Sequence, residues 1–164
     1  MTERKVKGAP DDLGPGAKAP AFTLSRDGGG NVSLADFAGR KLVLYFYPRA
    51  DTTGCTREAI DFTRDKAAFT RAGAEILGVS ADPVAALDAF KIKHKLSIAL
   101  ASDEKRRMLE AYGVWQEKSM YGRKFFGIVR TTFLIGPDLR IVQVWPRVSV
   151  AAHADAVLAA VKAK

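Results

Sequence analysis

Apolar runs separated by turn-forming residues divide the chain into alternating strands and helices. Lys41–Tyr47 (KLVLYFY) is almost continuously apolar, which is the pattern of a strand buried on both faces of a largely parallel sheet. Glu75–Val79 and Ser97–Ala101 are shorter runs that also favour strands. We therefore expect a buried sheet with Lys41–Tyr47 as its central strand.

Helical segments are predicted between these strands. Residues 55–72 carry apolar side chains at helical spacing and stop before Gly73, which predicts one helix that begins at Cys55. Three more helices are predicted at Val84–Leu96, Asp103–Tyr112 and Ala151–Val161. Asp103 and Glu104 would lie in the first turn of the second of these, where carboxylates suit the helix dipole.

Two hairpins complete the predicted order of elements. Ala21–Leu24 and Asn31–Ser33 flank a glycine-rich turn, and Thr131–Ile135 and Arg140–Trp145 flank a Gly-Pro-Asp turn. The glycine-rich turn is not a phosphate loop, because it lacks the Gly-Lys-Ser/Thr ending. The alternation of strands and helices predicts an α/β three-layer sandwich with an N-terminal β-hairpin.

The length of 164 residues suits one domain. Residues 1–17 hold three glycines, two prolines and several charges, so we expect a mobile N-terminal arm before a domain at residues 18–164. The start of the chain lacks the apolar segment of a signal peptide, and no apolar run approaches the ~18 residues that a membrane span needs. We expect a soluble, cytoplasmic protein without a membrane partner.

The formal net charge of +8 raises the question of nucleic acid, because a basic surface attracts phosphate. The basic clusters are small and scattered, and none alternates with aromatic residues as in a platform that binds single strands. Solvated helix faces account for most of these charges. We expect no specific nucleic-acid partner; the alternative, a basic nucleic-acid binder, predicts DNA retention that falls steeply with salt.

The chain has one cysteine, Cys55. A single thiol excludes an intrachain disulfide, a Cys-rich zinc site and a Cys-x-x-Cys dithiol reductase, and it favours a reducing compartment. At the start of a helix that follows the central strand, backbone amides and the positive end of the helix dipole favour the thiolate form of Cys55. The competing interpretation is an inert cysteine buried in the core.

The neighbours of Cys55 favour the reactive interpretation. Pro48, Thr52 and Cys55 have the spacing Pro-x-x-x-Thr-x-x-Cys, which resembles the active-site signature of the peroxiredoxins. Four downstream segments resemble the Q-type branch, also called bacterioferritin comigratory proteins: Tyr112–Trp115, Glu117–Lys118, Met120–Gly122 and Gly127–Ile135. The resemblance implies a thioredoxin-like fold and the reduction of hydrogen peroxide and organic hydroperoxides without a metal, haem or flavin cofactor.

The same resemblance assigns roles to individual residues. Cys55 would be the peroxidatic thiolate, which attacks one peroxide oxygen and becomes a sulfenic acid. Hydrogen-bond donors would stabilise the charge on the departing oxygen. These donors would be the backbone amides of Gly54 and Cys55, the Thr52 hydroxyl and the Arg130 guanidinium.

Two supporting roles follow from the resemblance. Pro48 would shape the pocket and shield Cys55 from water. Glu58, one helical turn after Cys55, would hold Arg130 in position; the alternative is that it acts only as a first-turn helix stabiliser. An arginine at a strand start is otherwise usually exposed to solvent.

The chain departs from the Q-type pattern at two positions. Thr53 stands where the branch usually has proline, so the loop would be slightly less rigid. Ile60 stands five residues after Cys55, where many members carry a resolving cysteine. We therefore expect a one-cysteine cycle in which thioredoxin, glutaredoxin, glutathione or another external thiol regenerates Cys55. A redox sensor or holdase without turnover is the alternative.

The remaining candidates have weaker support. His94 and His153 are expected to have surface or packing roles rather than to form a hydrolytic dyad with the cysteine. Four aromatic residues would line an apolar pocket mouth, pack in the core or form a dimer contact: Trp115, Tyr121, Phe125 and Phe126. We expect a monomer or a weak dimer.

Overall fold

Seven strands form the main sheet of the computed structural model, which describes residues 13–164. Residues 13–164 form nine strands in all: β1 Thr23–Arg26, β2 Asn31–Ser33, β3 Lys41–Phe46, β4 Ala74–Ser80, β5 Ala99–Ser102, β6 Trp115–Met120, β7 Arg123–Ile128, β8 Thr131–Ile135 and β9 Ile141–Trp145. The order in the main sheet is β2-β1-β5-β4-β3-β8-β9, with β3, β4 and β5 parallel and the other neighbours antiparallel. Strands β6 and β7 form a separate hairpin.

The central position of β3 follows from its composition. Leu42, Leu44 and Phe46 point to one face of the sheet, whereas Val43 and Tyr45 point to the other, and all five are fully buried. A strand with apolar residues at every position is stable only where both faces are covered. The prediction of a central strand here is confirmed.

Helices cover both faces of the sheet. They are α1 Thr53–Arg64, α2 Lys66–Arg71, α3 Val84–His94, α4 Arg107–Ala111 and α5 His153–Ala163, with a short 3₁₀ helix at Leu34–Phe37. The buried residues of α1, α2, α3 and α5 pack on one face, and those of α4 and the 3₁₀ helix pack on the other. The expected α/β three-layer sandwich with its N-terminal hairpin β1–β2 is therefore confirmed.

The single helix expected at residues 55–72 is wrong in two respects. Helix α1 begins at Thr53, two residues early, because Thr52 has the extended backbone of an N-cap residue. The helix also breaks at Asp65, which ends α1 and precedes α2. The break lets Phe62 and Phe69 reach the same core, with ring centroids 5.8 Å apart.

The helix expected at Asp103–Tyr112 is shorter than predicted. It begins at Arg107, and Asp103 is buried ahead of it, where its carboxylate accepts a hydrogen bond from the Leu109 amide at 2.8 Å. Arg106 has a left-handed backbone, with φ of 62°, which separates Asp103 from the helix. The Asp103 carboxylate therefore still accepts a hydrogen bond from an otherwise unpaired amide of the first helical turn, although Asp103 itself lies outside the helix.

The hairpin β6–β7 was not among the predicted strands. Its turn is Tyr121-Gly122, whose positive φ angles of 54° and 76° are typical of a two-residue hairpin turn. Tyr121 is 96% exposed, and Phe125 and Phe126 are also exposed, so core packing is wrong for these three. Trp115 is partly buried against the core. The Arg106 guanidinium lies over the face of its ring, 5.0 Å from the ring centroid.

Part of the N-terminal arm expected at residues 1–17 is described. Residues 1–12 lie outside the described residues, but Gly16 donates a hydrogen bond to the Ile141 carbonyl at 2.8 Å and Ile141 donates one to the Ala17 carbonyl at 2.8 Å. Leu13 and Ala17 pack against the core. Because these apolar side chains find partners, contacts with the core begin within the expected arm, at Leu13.

His153 is buried at the start of α5, where it has the packing role expected for it. Its Nε2 atom lies 2.8 Å from the Thr132 hydroxyl, and its ring packs edge-on against Phe62 and Trp145. Burial, with a smaller effect from the charge of Arg130, lowers the pKa of His153 from 6.5 to about 4. The folded protein therefore keeps this imidazole neutral in mildly acidic solution.

The low pKa of His153 predicts a loss of stability in acid. The unfolded chain binds a proton near pH 6.5 and the folded protein only near pH 4, so this contribution is complete above pH 6.5 and is lost as the pH falls toward 4. The loss is about 3 kcal/mol at pH 4. We expect the difference in unfolding free energy between the native protein and His153→Gln to shrink by that amount from pH 7 to pH 4 in urea titrations. Parallel stability curves for the two proteins would contradict the assignment.

Candidate active site

The loop between β3 and α1 is held by groups at the carboxyl end of the sheet. The Tyr47 amide donates to the Val79 carbonyl at 3.1 Å, which continues the β3–β4 pairing by one residue. Asp82, which follows β4, accepts hydrogen bonds from the Ala50 amide and the Ser80 hydroxyl, each at 2.7 Å. The loop is thus fixed to the neighbouring strand, and it delivers the chain to the start of α1.

The first turn of α1 presents unpaired backbone donors. The first hydrogen bond of the helix runs from the Thr56 amide to the Thr52 carbonyl at 2.8 Å, so the amides of Thr53, Gly54 and Cys55 have no carbonyl partner within the helix. They also lie at the positive end of the helix dipole. This turn is suited to bind or stabilise an anion next to Cys55.

Cys55 lies on the buried face of α1 and is 1% exposed. Its Sγ atom accepts a hydrogen bond from Nη2 of Arg130 at 3.4 Å. The other terminal nitrogen of Arg130, Nη1, donates to Oε1 of Glu58 at 2.6 Å. One guanidinium therefore joins the sulfur to a buried carboxylate on the next turn of the same helix.

The position of Arg130 is determined by its backbone as well as by its side chain. The Val129 amide donates to the Val114 carbonyl at 2.8 Å, and the Val148 amide donates to the Arg130 carbonyl at 2.9 Å. Arg130 thus stands in a fixed connection between β7 and β8, with its side chain largely buried. The usual expectation of a solvent-exposed arginine does not hold here.

Gly54 allows the guanidinium to approach the helix backbone. A Cβ atom at position 54 would lie 3.1 Å from Nη2 of Arg130, closer than ordinary van der Waals contact. The guanidinium cannot easily move away, because Glu58 binds its other nitrogen. Glycine is therefore favoured at position 54 because a Cβ atom there would crowd the Arg130 guanidinium.

Burial affects the pKa values of the charged side chains in the site. Burial raises the pKa of Glu58 to about 7, and the positive charge of Arg130 opposes this rise. The pKa of Arg130 is raised by the carboxylate of Glu58 and by Cys55, against the effect of its own burial. Among the described residues, Oε2 of Glu58 and the hydroxyls of Tyr45 and Tyr47 are buried without a hydrogen-bond partner. The sulfur thus lies in a region closed to solvent, in the same buried cluster as Tyr45 and Tyr47.

The structure brings together Cys55, Gly54, Glu58 and Arg130. The Thr52 hydroxyl was expected to donate a hydrogen bond in the site, but it has a different partner. The Thr52 hydroxyl donates to the Arg49 carbonyl at 2.8 Å, so its proton is directed away from the sulfur. Its oxygen can still accept a hydrogen bond. Pro48 is half-buried at the end of β3, where the loop begins.

Neither histidine hydrogen-bonds to Cys55. Nε2 of His94 lies 2.8 Å from Oδ1 of Asp51 on the surface beside α1, and His153 is bound to Thr132. A hydrolytic Cys-His pair is therefore absent from the described residues. The surface position expected for His94 and the packing role expected for His153 agree with these contacts.

Lys118 lies on β6 beside the strand end that leads to Arg130, and it was not singled out from the sequence. Its Nζ atom donates to the Ile128 carbonyl at 2.9 Å. Burial and the charge of Arg130 lower the pKa of Lys118, while Cys55 acts in the opposite direction. The available signal was the Tyr-Gly turn, which pairs the strand of Lys118 with the strand that leads to Arg130.

Comparisons with known proteins show the family of the chain. The model of the AhpC/TSA family matches residues 15–144. The chain belongs to the AhpC/TSA family. Peroxiredoxin Bcp of Xanthomonas campestris pv. campestris is 48% identical over 140 residues, which cover 85% of this chain and 88% of the relative. Peroxiredoxin Bcp of Bacillus subtilis is 40% identical over 147 residues, which cover 90% and 94%.

Solved peroxiredoxin structures have the same fold. A structure of the X. campestris bacterioferritin comigratory protein, from a study of its alkyl peroxide reduction, superposes with a TM-score of 0.86 at 44% identity and covers 91% of this chain and 98% of that one. A mutant of PrxQ from Xylella fastidiosa has a TM-score of 0.88 at 37% identity, covering 92% and 96%. The resemblance to Q-type peroxiredoxins and the thioredoxin-like fold are confirmed, and the family indicates thiol peroxidase activity.

In this peroxiredoxin, Gly54→Ala is expected to lower kcat/KM for peroxide between about 10- and 100-fold, because displaced catalytic groups carry costs of this size. Alanine also favours helix over glycine, which offsets part of the steric cost to the unfolding free energy. Stopped-flow peroxide kinetics and urea unfolding measure both effects. Thr53→Ala, in the same turn and exposed, is the control and should retain activity. Native activity in Gly54→Ala would show that the Arg130 contact is dispensable.

Proposed function

We propose that the protein is a one-cysteine peroxiredoxin that reduces hydrogen peroxide and organic hydroperoxides through a sulfenic acid at Cys55. The contact of 3.4 Å between Sγ of Cys55 and Nη2 of Arg130, at the N-terminus of α1, is the observation that carries this proposal. A thiolate is the nucleophilic form of cysteine, and a guanidinium next to it favours that form.

The first half-reaction follows from the groups around the sulfur. The Cys55 thiolate attacks the terminal peroxide oxygen, an S–O bond forms and the O–O bond breaks. The electron pair leaves on the second oxygen, which takes a proton from solvent to give water or an alcohol. Sulfur is oxidised by two electrons and the peroxide is reduced by two.

The groups that face the sulfur have separate tasks in this step. Arg130 and the free amides of Gly54 and Cys55 would stabilise negative charge on the departing oxygen. The Thr52 hydroxyl, which donates its hydrogen bond to the Arg49 carbonyl, would accept a hydrogen bond from the peroxide through its oxygen and orient the molecule. Pro48 would limit the access of water, and Glu58 would hold Arg130.

Regeneration requires a thiol from outside the chain. Cys55 is the only cysteine, and Ile60, at the position of the resolving cysteine in many relatives, is 44% exposed on the outer face of α1. A first external thiol would displace water from the sulfenic acid and form a mixed disulfide with Cys55. A second thiol would release the Cys55 thiolate and carry away the disulfide. A reducing compartment such as the cytoplasm supplies such thiols.

Steady-state turnover against a panel of thiol donors tests the proposal. The protein is mixed with excess peroxide and with glutathione, glutathione plus glutaredoxin, thioredoxin with its reductase, or dithiothreitol, and peroxide loss is followed. We expect many equivalents of peroxide to be consumed per chain with at least one donor. Consumption that stops at one equivalent with every donor would instead indicate a redox sensor and contradict the proposal.

A further inference from the structure

The hairpin β6–β7 exposes apolar side chains at its turn and on both of its faces. Six large apolar residues are exposed among residues 13–164, and four of them belong to this hairpin: Met120, Tyr121, Phe125 and Phe126. Phe125 and Phe126 point to opposite faces, because they are successive residues of β7. A soluble monomer rarely clusters exposed apolar side chains in this way unless they contact a partner. These four residues form the apolar tip of the hairpin.

Unpaired cations lie beside the apolar tip. Arg123 and Lys124 follow the turn, are exposed and form no ion pair with any of residues 13–164. Residues 115–128 carry three cations and one carboxylate, and the chain has a formal net charge of +8. The hairpin thus presents positive charge and apolar surface together, which suits a partner that is anionic at its surface and apolar beneath.

A lipid surface fits this hairpin better than a protein does. A protein partner that packs on one face would leave either Phe125 or Phe126 exposed on the other. A second copy of the chain would bring Arg123 and Lys124 of both hairpins together, which the repulsion of like charges opposes. Lipid headgroups instead surround an inserted tip on all sides, so that aromatic rings lie at the interface and the cations reach the phosphates.

We propose that the apolar tip docks on an anionic lipid surface and presents the peroxidatic centre to hydroperoxides of membrane lipids. The assignment of this substrate class rests on the proposed function of Cys55. The expectation of no membrane partner rested on the lack of an apolar run long enough to span a bilayer, and a docked hairpin does not need one.

The hairpin connects its apolar tip directly to the site. Strand β7 ends two residues before Arg130, whose Nη2 atom lies 3.4 Å from Sγ of Cys55. Because the chain spans at most about 3.5 Å per residue, the Cα atoms of Phe126 and Arg130 lie within about 14 Å of each other. A docked tip therefore holds the site near the lipid that carries the substrate.

Cosedimentation with vesicles tests the docking without any peroxide. We expect the native protein to bind vesicles of equal parts phosphatidylglycerol and phosphatidylcholine, and to stay in solution with phosphatidylcholine alone. Tyr121→Asn with Phe126→Ser removes two rings and keeps a residue that suits the positive φ of the turn. This variant should bind at least about tenfold more weakly. Ile92→Ser, which removes an exposed apolar residue from α3, is the control and should bind as the native protein does.

The cations are tested by a second pair of variants. Arg123→Gln with Lys124→Gln should weaken binding about 10- to 30-fold, since each cation near an anionic surface contributes to the affinity. Lys162→Gln with Lys164→Gln removes the same charge from the exposed end of the chain and should retain most of the binding. Equal losses in the two variants would show attraction by net charge alone and overturn the proposal.

Fluorescence shows whether the tip itself enters the lipid. Emission of Tyr121→Trp, after subtraction of the native signal, should shift to shorter wavelength on binding to the phosphatidylglycerol vesicles, and that of Ile92→Trp should not. Binding without this shift would overturn the proposal. So would the absence of binding, or a dimer in sedimentation velocity that Tyr121→Asn with Phe126→Ser dissociates, because the tip would then serve a protein contact.

Peroxide kinetics test the substrate class. Tyr121→Asn with Phe126→Ser should reduce a phosphatidylcholine hydroperoxide in the same vesicles about tenfold more slowly than the native protein, with an unchanged rate constant for hydrogen peroxide in solution. Equal losses with both peroxides, or no loss with the lipid hydroperoxide, would overturn the presentation of lipid substrates. A failure of Cys55 to turn over any peroxide would leave the vesicle binding unchanged, so the failure of the proposed function and that of the docking are distinguishable.

Discussion

Replacement of Cys55 by serine is expected to reduce peroxide consumption to the uncatalysed background. The serine hydroxyl stays protonated at neutral pH and is a far weaker nucleophile than a thiolate. Because no second cysteine exists in the chain, no other residue can form a sulfenic acid in its place. Peroxide loss in the presence of the thiol donor that supports the native protein is the measurement.

The fold must persist in this variant for the result to be informative. Cys55 is buried in the same cluster as Tyr45, Ala59 and Phe62, so the serine hydroxyl needs a partner, which the Arg130 guanidinium provides. Circular dichroism and urea unfolding of Cys55→Ser and Cys55→Ala establish that the core is intact. Turnover that persists in a folded Cys55→Ser protein would remove the basis of the proposed mechanism.

Replacement of Arg130 by methionine is expected to have the second largest effect, a loss of about 10²- to 10³-fold in kcat/KM. Methionine keeps apolar bulk but removes the donor that lies 3.4 Å from the sulfur and the partner of Glu58. Stopped-flow measurement of hydrogen peroxide reduction gives the rate constant directly. An Arg130→Met protein with more than a tenth of native kcat/KM would show that the amides of the first turn are sufficient.

The same substitution leaves the Glu58 carboxylate buried without its cation, which affects stability in a pH-dependent way. Burial already raises the pKa of Glu58 to about 7 with Arg130 present, and the loss of Arg130 raises it further. A raised pKa in the folded state means that stability is lost as the pH rises through that value. We expect Arg130→Met to lose stability more steeply than the native protein above pH 7, and Arg130→Met with Glu58→Gln to remove the extra slope.

Much of the fold could be predicted because its central elements have strong local patterns. The continuous apolar run of Lys41–Tyr47 permits only a strand covered on both sides, and the spacing of Pro48, Thr52 and Cys55 places the cysteine after it. The contact between Cys55 and Arg130 joins residues far apart in the chain. It was expected through family resemblance, since periodicity carries no information about such a pair.

The helix break and the hairpin that the sequence did not predict depend on particular residues. The break at Asp65 depends on how Phe62 and Phe69 pack in three dimensions, which helical periodicity does not contain. The strands of the hairpin β6–β7 carry exposed aromatic residues and lack alternating apolar and polar positions. The hydrophobic pattern of the sequence therefore does not identify them as strands. The contact of Lys118 with the Ile128 carbonyl was missed for the same reason, because it exists only once that hairpin forms.

In the proposed cycle, the burial of Cys55 implies that the two half-reactions require different conformations. A protein thiol cannot touch a sulfur that is 1% exposed on the inner face of α1 while the first turn of that helix is intact. Opening this turn for the reductant removes the amides and the Arg130 contact that activate the sulfur for peroxide. Substitutions that strengthen the turn should therefore speed peroxide capture and slow recovery. In that cycle, the stability of one helical turn would set how much thiol the enzyme needs to keep working.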